Sequence, residues 1–467
     1  MLRRLVHRFA RNREANVAVI FAIMMVPTIY LLGMALDYTQ ALRKQEQLDA
    51  AADAAAIAAV RPAMLTQTDD SIVQATAAAV FAAKANLPGL TAVPVPTINV
   101  VDSGLQRTVT VSYTAQSINN FPGVLGTPAW PIKGSSTAQA SSAPNINFYL
   151  LLDDSPSMAI GATLKDIANL QTATKNQPSF AANCGFACHE LHPNSDPGAT
   201  STTKDNLSIA RSNNITLRID LVQNAVKQLL VGPWTCPQAG VSGGVMQCMS
   251  TLNNTTYKAG IYTFDLTLNT IQSLTSPSTA GTQISNIQLF TVDHHNCVNL
   301  STNCTTDNGT NIESALAGVN AIMPAPGMGT NQAGDTPQEV VFLVTDGVDD
   351  MLVSSTSACS SPTPYKLSST KYRCQQPLNP SICTTIKNKG IRIAILYTEY
   401  LPLSDGWYNT YISQFNQPDS LTGQIAQKLQ SCASPGLYAS VTTGGDISAA
   451  LTNLFLKVAT STASLVQ

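Results

Sequence analysis

The uncharged stretch Ala15–Leu36 (ANVAVIFAIMMVPTIYLLGMAL) is long and apolar enough to predict a helix that crosses a bilayer, with Pro27 as a kink that membrane helices tolerate. Asp37–Ala63 follows, rich in Ala, Gln, Leu and charged residues, and predicts an outward extension of that helix as a stalk. Residues 70–95 read as a helix and then a Pro-rich linker, AAAVFAAKANLPGL followed by TAVPVP. From Thr97 the period changes to two: INVVDS, RTVTVSYTAQ and WPIKGSSTAQA predict three or four strands of a small β layer. Beyond it, Phe148–Met158 (FYLLLDDSPSM) is an apolar run that breaks into a polar loop, as a buried strand does at a sheet edge.

Later segments predict alternating elements. RIDLVQNAVKQLL (Arg218–Leu230) has helical apolar spacing, and KAGIYTFD with LTLNTIQSL reads as a strand pair. NIESALAGVNAIM predicts a helix opened by Gly309-Thr310-Asn311, and Val340–Val344 is a second apolar strand, running into Thr345-Asp346-Gly347. GIRIAILYTEY and GLYASVTT predict further strands around the helix DSLTGQIAQKLQSC. Asp446–Ser461 gathers Ile447, Leu451, Leu454, Phe455 and Val458 on one face of a last helix.

The 467 residues allow two or three domains, and a net charge of −2 with 12% charged residues leaves no nucleic-acid footprint. Arg3, Arg4, Arg8, Arg11 and Arg13 precede the apolar stretch, whereas Asp37 follows it, a bias that keeps the amino terminus cytoplasmic and sends the rest outside. The ten cysteines all lie between Cys184 and Cys432, which reads as disulfides in an oxidising compartment. The local pairs are Cys184/Cys188, Cys236/Cys248, Cys297/Cys304 and Cys359/Cys374, leaving Cys383/Cys432; sequence alone does not fix this connectivity. Single-pass anchorage in a bacterial inner membrane, with the bulk of the chain periplasmic or extracellular, is the expected placement. The rival is a cleaved signal peptide with Gly33-Met34-Ala35 as its small-residue site.

Asp153-x-Ser155-x-Ser157 sets one carboxylate and two hydroxyls at alternate positions, oxygens that suit a hard divalent cation. The bland alternative is that Asp153 and Ser155 cap the next helix, which leaves Thr310 and Asp346 unexplained. Together the DxSxS, the distant Thr310 and the strand-end Asp346 resemble the von Willebrand factor type A (vWA) family over roughly residues 145–460. The resemblance implies a metal-ion-dependent adhesion site of Asp153, Ser155, Ser157, Thr310 and Asp346 that holds Mg2+, with Mn2+ as the alternative, and leaves a position for a partner's carboxylate. With the elements read above, the expected fold class is α/β: an N-terminal transmembrane helix and stalk, a small β-rich spacer, and the Rossmann-like vWA domain that the resemblance implies. That domain has a central, mostly parallel sheet flanked by helices, with Cys-rich insertions.

The Arg-rich start, NVAVIFAIMMVP, the following Asp-Tyr and QxxLDAAADAAAIAA resemble the amino-terminal region of TadE/TadG-like proteins of the Flp (tight adherence) pilus system over about residues 11–65. Pilin-like members carry a Glu within the apolar segment, whereas Glu14 precedes it here, so the anchored TadG-like branch is the better match. The expected division is therefore 1–14 cytoplasmic basic terminus, 15–36 transmembrane helix, 37–65 stalk, 66–144 linker and β-rich spacer, and 145–467 vWA domain.

The surplus between Ser157 and Thr310 lies in Asp166–Asn214, Pro233–Asn253 and Asp293–Asp307, each holding a close cysteine pair, and Met351–Cys383 is a fourth decorated loop. These insertions are expected to crown the metal edge. Cys184-Gly185-Phe186-Ala187-Cys188-His189 also invites zinc, with His192, or haem, although haem attachment needs CxxCH. His294 and His295 read as polar loop residues, and Asp335, Asp349 and Asp350 as a solvated acidic rim. The function expected is a membrane-anchored envelope protein of a pilus-assembly or secretion system that binds a protein partner through Mg2+. The alternatives are a surface adhesin for host or matrix ligands and a haem or zinc enzyme. GxSxG, HExxH and P-loop motifs are all missing from the sequence, so no enzyme is expected.

Overall fold

The computed structural model describes residues 15–177, 182–191, 205–237, 240–291, 309–400, 403, 405–416, 424–442 and 445–460. The basic terminus, Glu14, His192, His294, His295 and the Cys297/Cys304 pair lie outside the described residues. The chain folds as two units, residues 1–142 and 143–467.

In the first unit, α1 (Ala15–Ala59) is one helix through Pro27, so span and stalk are continuous. Val17–Leu32 are exposed, and Gly33 is the first buried position after them. The run DAAADAAAIAA has a packing reason: Ala51, Ala52, Ala55, Ala56, Ala58 and Ala59 are buried. With only a methyl at each contact, α1 approaches both α2 (Asp70–Ala85) and a sheet closely. That sheet is β1 (Thr97–Ser103), β2 (Gln106–Ile118) and β3 (Ala129–Ser141), antiparallel in the order β1-β2-β3. Val109, Val111 and Tyr113 alternate inward on β2 and meet Leu48 and Phe81. The sequence reading separated stalk from spacer; the structure packs them on one core, because α1 and α2 cover the apolar face of β2.

The second unit begins with β4 (Ile146–Asp153), buried at every position. A strand covered on both faces reads as a continuous apolar run rather than an alternation. Then come α3 (Leu164–Thr174), α4 (Asn206–Ser212), α5 (Arg218–Leu230), α6 (Val245–Asn253), β5 (Tyr257–Phe264) and β6 (Leu268–Thr275). These are followed by α7 (Ile312–Ile322), β7 (Gln338–Thr345), β8 (Val348–Val353), β9 (Tyr365–Lys366), β10 (Tyr372–Pro377) and α8 (Ser381–Asn388). β11 (Arg392–Thr398), α9 (Gln424–Cys432), β12 (Tyr438–Val441) and α10 (Ile447–Thr460) complete the unit.

The main sheet runs β12-β11-β7-β4-β5-β6, parallel except for the antiparallel edge strand β6. In chain order this is the doubly wound 3-2-1-4-5-6 arrangement, whose direction reverses between β4 and β7. Phe148, Leu150 and Leu152 face a layer built from α5, α6 and α10. Tyr149 and Leu151 face the layer of α7, α8 and α9. The domain is thus the α/β, mostly parallel, helix-flanked fold that the vWA resemblance implied.

Four predicted disulfides are present: Cys184–Cys188, Cys236–Cys248, Cys359–Cys374 and Cys383–Cys432. The first of these takes both thiols away from the zinc and haem alternatives. Loops read as irregular hold structure of their own. Met351–Cys383 holds β9, β10 and the end of β8, which form a small β8-β10-β9 sheet, and the insertions carry α3, α4 and α6.

Candidate metal centre

Ligands in open α/β sheets bind beyond the carboxyl ends of the strands where the order reverses. Asp153 is the last residue of β4, and Asp346 follows directly on β7. Both are fully buried. Gly347 then turns the chain with φ +77, and a Cβ there would lie 2.7 Å from side-chain atoms of Ile425 and Leu429, so the Asp-Gly turn requires glycine.

Asp153 Oδ1 accepts the Ser155 amide at 3.0 Å, and Oδ2 accepts the Thr345 hydroxyl from the neighbouring strand at 2.7 Å. The Ser155 and Ser157 hydroxyls are 3.1 Å apart, and Ser157 also hydrogen-bonds Asp346. Thr310 is buried beside α7, which Asn311 caps by accepting the Ser314 amide at 2.9 Å. Thr310 shares with Ser157 the wall of a cavity of about 30 Å3, roughly the volume of one water. The structure therefore brings Asp153, Ser155, Ser157, Thr310 and Asp346 to one sheet edge.

Burial, then the neighbouring Asp346 charge, push the Asp153 carboxyl up to about 8. Burial also raises Asp346, although Arg218, Ser157 and Tyr400 oppose it. Burial thus holds both acids above their ordinary range, and a carboxylate oxygen can accept from more than one donor or ligand. Hydroxyl and carboxylate oxygens at this edge fit a hard divalent cation in donor chemistry. Among the described residues no group of three or more His, Cys, Asp and Glu side chains gathers to hold a metal, so the fit rests on the mixed hydroxyl and carboxylate set.

Several neighbours were invisible in the sequence. Arg218, 3% exposed, places Nη1 at 3.7 Å from Asp346 Oδ2 and its guanidinium 4.8 Å over the Tyr400 ring. The Tyr400 hydroxyl donates to Asp346 Oδ2 at 2.6 Å. Asp154, buried behind the strand end, is pushed up to about 7 by desolvation. The expected acidic rim is corrected. Asp335 precedes β7, at the opposite end of the strand from Asp346, and caps its own loop by accepting the Met328 and Thr330 amides. Asp349 is buried and accepts the Ile312 amide at the start of α7, and Asp350 is paired with Arg373 at 2.5 Å. The Cys184–Cys188 turn (Phe186, Ala187) and β10 (Arg373, Gln375) do line the cavity, as do Trp407 and Ile412.

Three solved structures are similar at low identity. The pilus adhesin SpaC from Lactobacillus rhamnosus GG is 12% identical with a TM-score of 0.33, over 79% of this chain and 34% of that one. This chain thus spans about a third of the length of SpaC. The conserved hypothetical protein BatB from Bacteroides thetaiotaomicron is 12% identical, TM-score 0.31, over 68% of this chain and 99% of that one. The vWF domain of the type V pili tip protein Mfa5 from Porphyromonas gingivalis is 12% identical, TM-score 0.32, over 70% and 99%. No curated protein matches the sequence. A family model described as putative Flp pilus-assembly TadE/G-like matches residues 15–63, the segment that forms the apolar helix and its buried alanine face. Over those residues the chain is similar to the TadE/G-like region of putative Flp pilus-assembly proteins.

Proposed function

We propose that this is a membrane-anchored envelope protein of a tight-adherence (Flp) pilus-assembly or secretion apparatus, whose second unit captures a protein partner through Mg2+. Asp153, Ser155, Ser157, Thr310 and Asp346 hold the ion, and an acidic side chain of the partner completes its coordination. The observation that carries this reading is the pair of fully buried carboxylates closing adjacent parallel strands, beside hydroxyls 3.1 Å apart.

Charge favours the same role. Two carboxylates and Arg218 leave a dication incompletely neutralised, which draws an anionic oxygen from outside, and the burial of both carboxylates strengthens that attraction. The TadE/G-like match supports the pilus context, and the apolar helix supports single-pass anchorage with the second unit outside the cytoplasm.

Calorimetric titration of Mg2+ and Mn2+ into residues 143–467 tests the reading. Binding that disappears in Asp153→Ala, and a partner retained by the wild type but released by chelator, are the expected results. Absence of heat from either ion at millimolar concentration, or undiminished binding by the variant, would sink the metal-dependent role.

A further inference from the structure

We propose that the loop of residues 119–128 in the first unit sits in the interfacial layer of the bilayer that α1 crosses, as a second membrane contact. The inference rests on the reading of Ala15–Leu36 as a span.

Side-chain contacts along α1 act as a ruler. Asp49 accepts the Tyr113 hydroxyl at 2.7 Å, Gln45 donates to the Lys133 carbonyl at 3.1 Å, and Tyr38 packs edge-on to Trp130 at 5.9 Å. Lower on the helix, Asp37 accepts the amides of Asn120 and Phe121 at 2.7 and 3.0 Å. Lower still, the Phe121 ring covers Gly33, where an added Cβ would lie 3.3 Å from its Cγ. At ~1.5 Å per residue, the Phe121 ring meets the helix about 6 Å below Asp37, inside the apolar stretch. The sheet therefore does not stop at the membrane border; its connecting loop reaches past it.

The chemistry of the loop suits that depth. Ser117–Ile132 (SINNFPGVLGTPAWPI) contains no charged residue, and Lys133 is the first one after it. Phe121 is 41% exposed although it packs on the helix, an arrangement that water disfavours and acyl chains accept. Phe121, Tyr38 and Trp130 form an aromatic set around the end of the span, where amphipathic rings settle between lipid and water. Asp37, 2% exposed at the same border, has its carboxylate satisfied by two backbone amides and is not left bare near hydrocarbon. The loop would then fix how the platform tilts and turns on the bilayer, which a single helix leaves free.

The test uses the full chain in phosphatidylcholine vesicles, with a fluorescent amino acid in place of Phe121, Ile29 or Val101. Quenching by lipids brominated high on the acyl chain is compared with quenching by aqueous iodide. Positions 29 and 121 are expected to be quenched several-fold more by the lipid, and position 101, on the exposed edge of β1, by iodide. Lipid quenching at 29 with iodide quenching at 121 would overturn the second contact while leaving the span intact. Iodide quenching at 29 would overturn the span and the contact together. A probe-free arm reads Trp130 in the chain carrying Trp234→Phe and Trp407→Phe: bromolipid quenching of its emission supports the proposal, and quenching by iodide alone overturns it.

Discussion

The Arg218 guanidinium stands 3.7 Å from the buried Asp346 carboxylate, on the side of the site that Tyr400 covers. It anchors by donating Nη2 to the Glu399 carbonyl at 2.8 Å. A positive side chain thus already serves one of the two acids, and the other, Asp153, is left to its proton or to an ion.

Replacing Arg218 with Met is expected to destabilise the second unit by about 3 kcal/mol, because it strands a buried charge. Mg2+ should restore part of that loss, since the ion supplies the missing charge. Urea unfolding with and without Mg2+ checks both; a larger Mg2+ gain for the wild type than for Arg218→Met would contradict the shared electrostatic role.

Asp153→Ala should abolish divalent binding while leaving unfolding in chelator within about 1 kcal/mol of the wild type, because it removes an acid that burial already disfavours. Gross unfolding of this variant would instead assign Asp153 a structural role. Titration calorimetry and circular dichroism separate the two.

The raised Asp153 carboxyl sets a pH dependence. In the folded chain it keeps its proton until about pH 8, where the unfolded chain has lost it from about pH 4. Stability from this group therefore falls as pH rises between those values and is level above them. A cation must displace the proton, so Mg2+ affinity should rise about tenfold per pH unit from pH 6 to pH 8, with about one proton released per ion. Titrations in two buffers of different ionisation enthalpy read the proton directly, and a flat Kd across this range would refute the assignment.

The disulfides should differ in worth according to the loop each closes. Cys383–Cys432 spans 49 residues and Cys184–Cys188 spans 4. Chain-entropy reasoning gives about 4 kcal/mol for the first and about 2 kcal/mol for the second. Equilibrium unfolding of the two double-serine variants tests the order; equal losses would point to strain or residual structure instead.

On α1, Ala52→Leu is expected to cost about 1–3 kcal/mol by forcing apart a helix contact sized for methyl groups. The exposed Asp53 beside it should tolerate Ala with little change. Thermal melts of the full chain in detergent distinguish them.

What sequence made legible follows from burial. Asp153 and Asp346 ended apolar runs so long that only strands covered on both faces could explain them, and Thr310 preceded a recognisable cap in Asn311. Arg218 and Tyr400 gave no such signal: one opens an amphipathic helix, the other trails a strand, and only the fold brings them to Asp346 from 128 and 54 positions away. The β8-β10-β9 sheet hid for another reason. VDDMLV and YRCQQP are too polar for strand periodicity, and their pairing is secured by Arg373 on Asp350 and by the Cys359–Cys374 bridge.

Thr310 and Asp350 exchange both backbone hydrogen bonds, at 3.2 and 2.9 Å. The proposed ligand Thr310 and the hairpin bearing Arg373 therefore share one rung of backbone. An ion held at Thr310 would therefore bear on β8 through that rung, and on Arg373 through its pairing with Asp350.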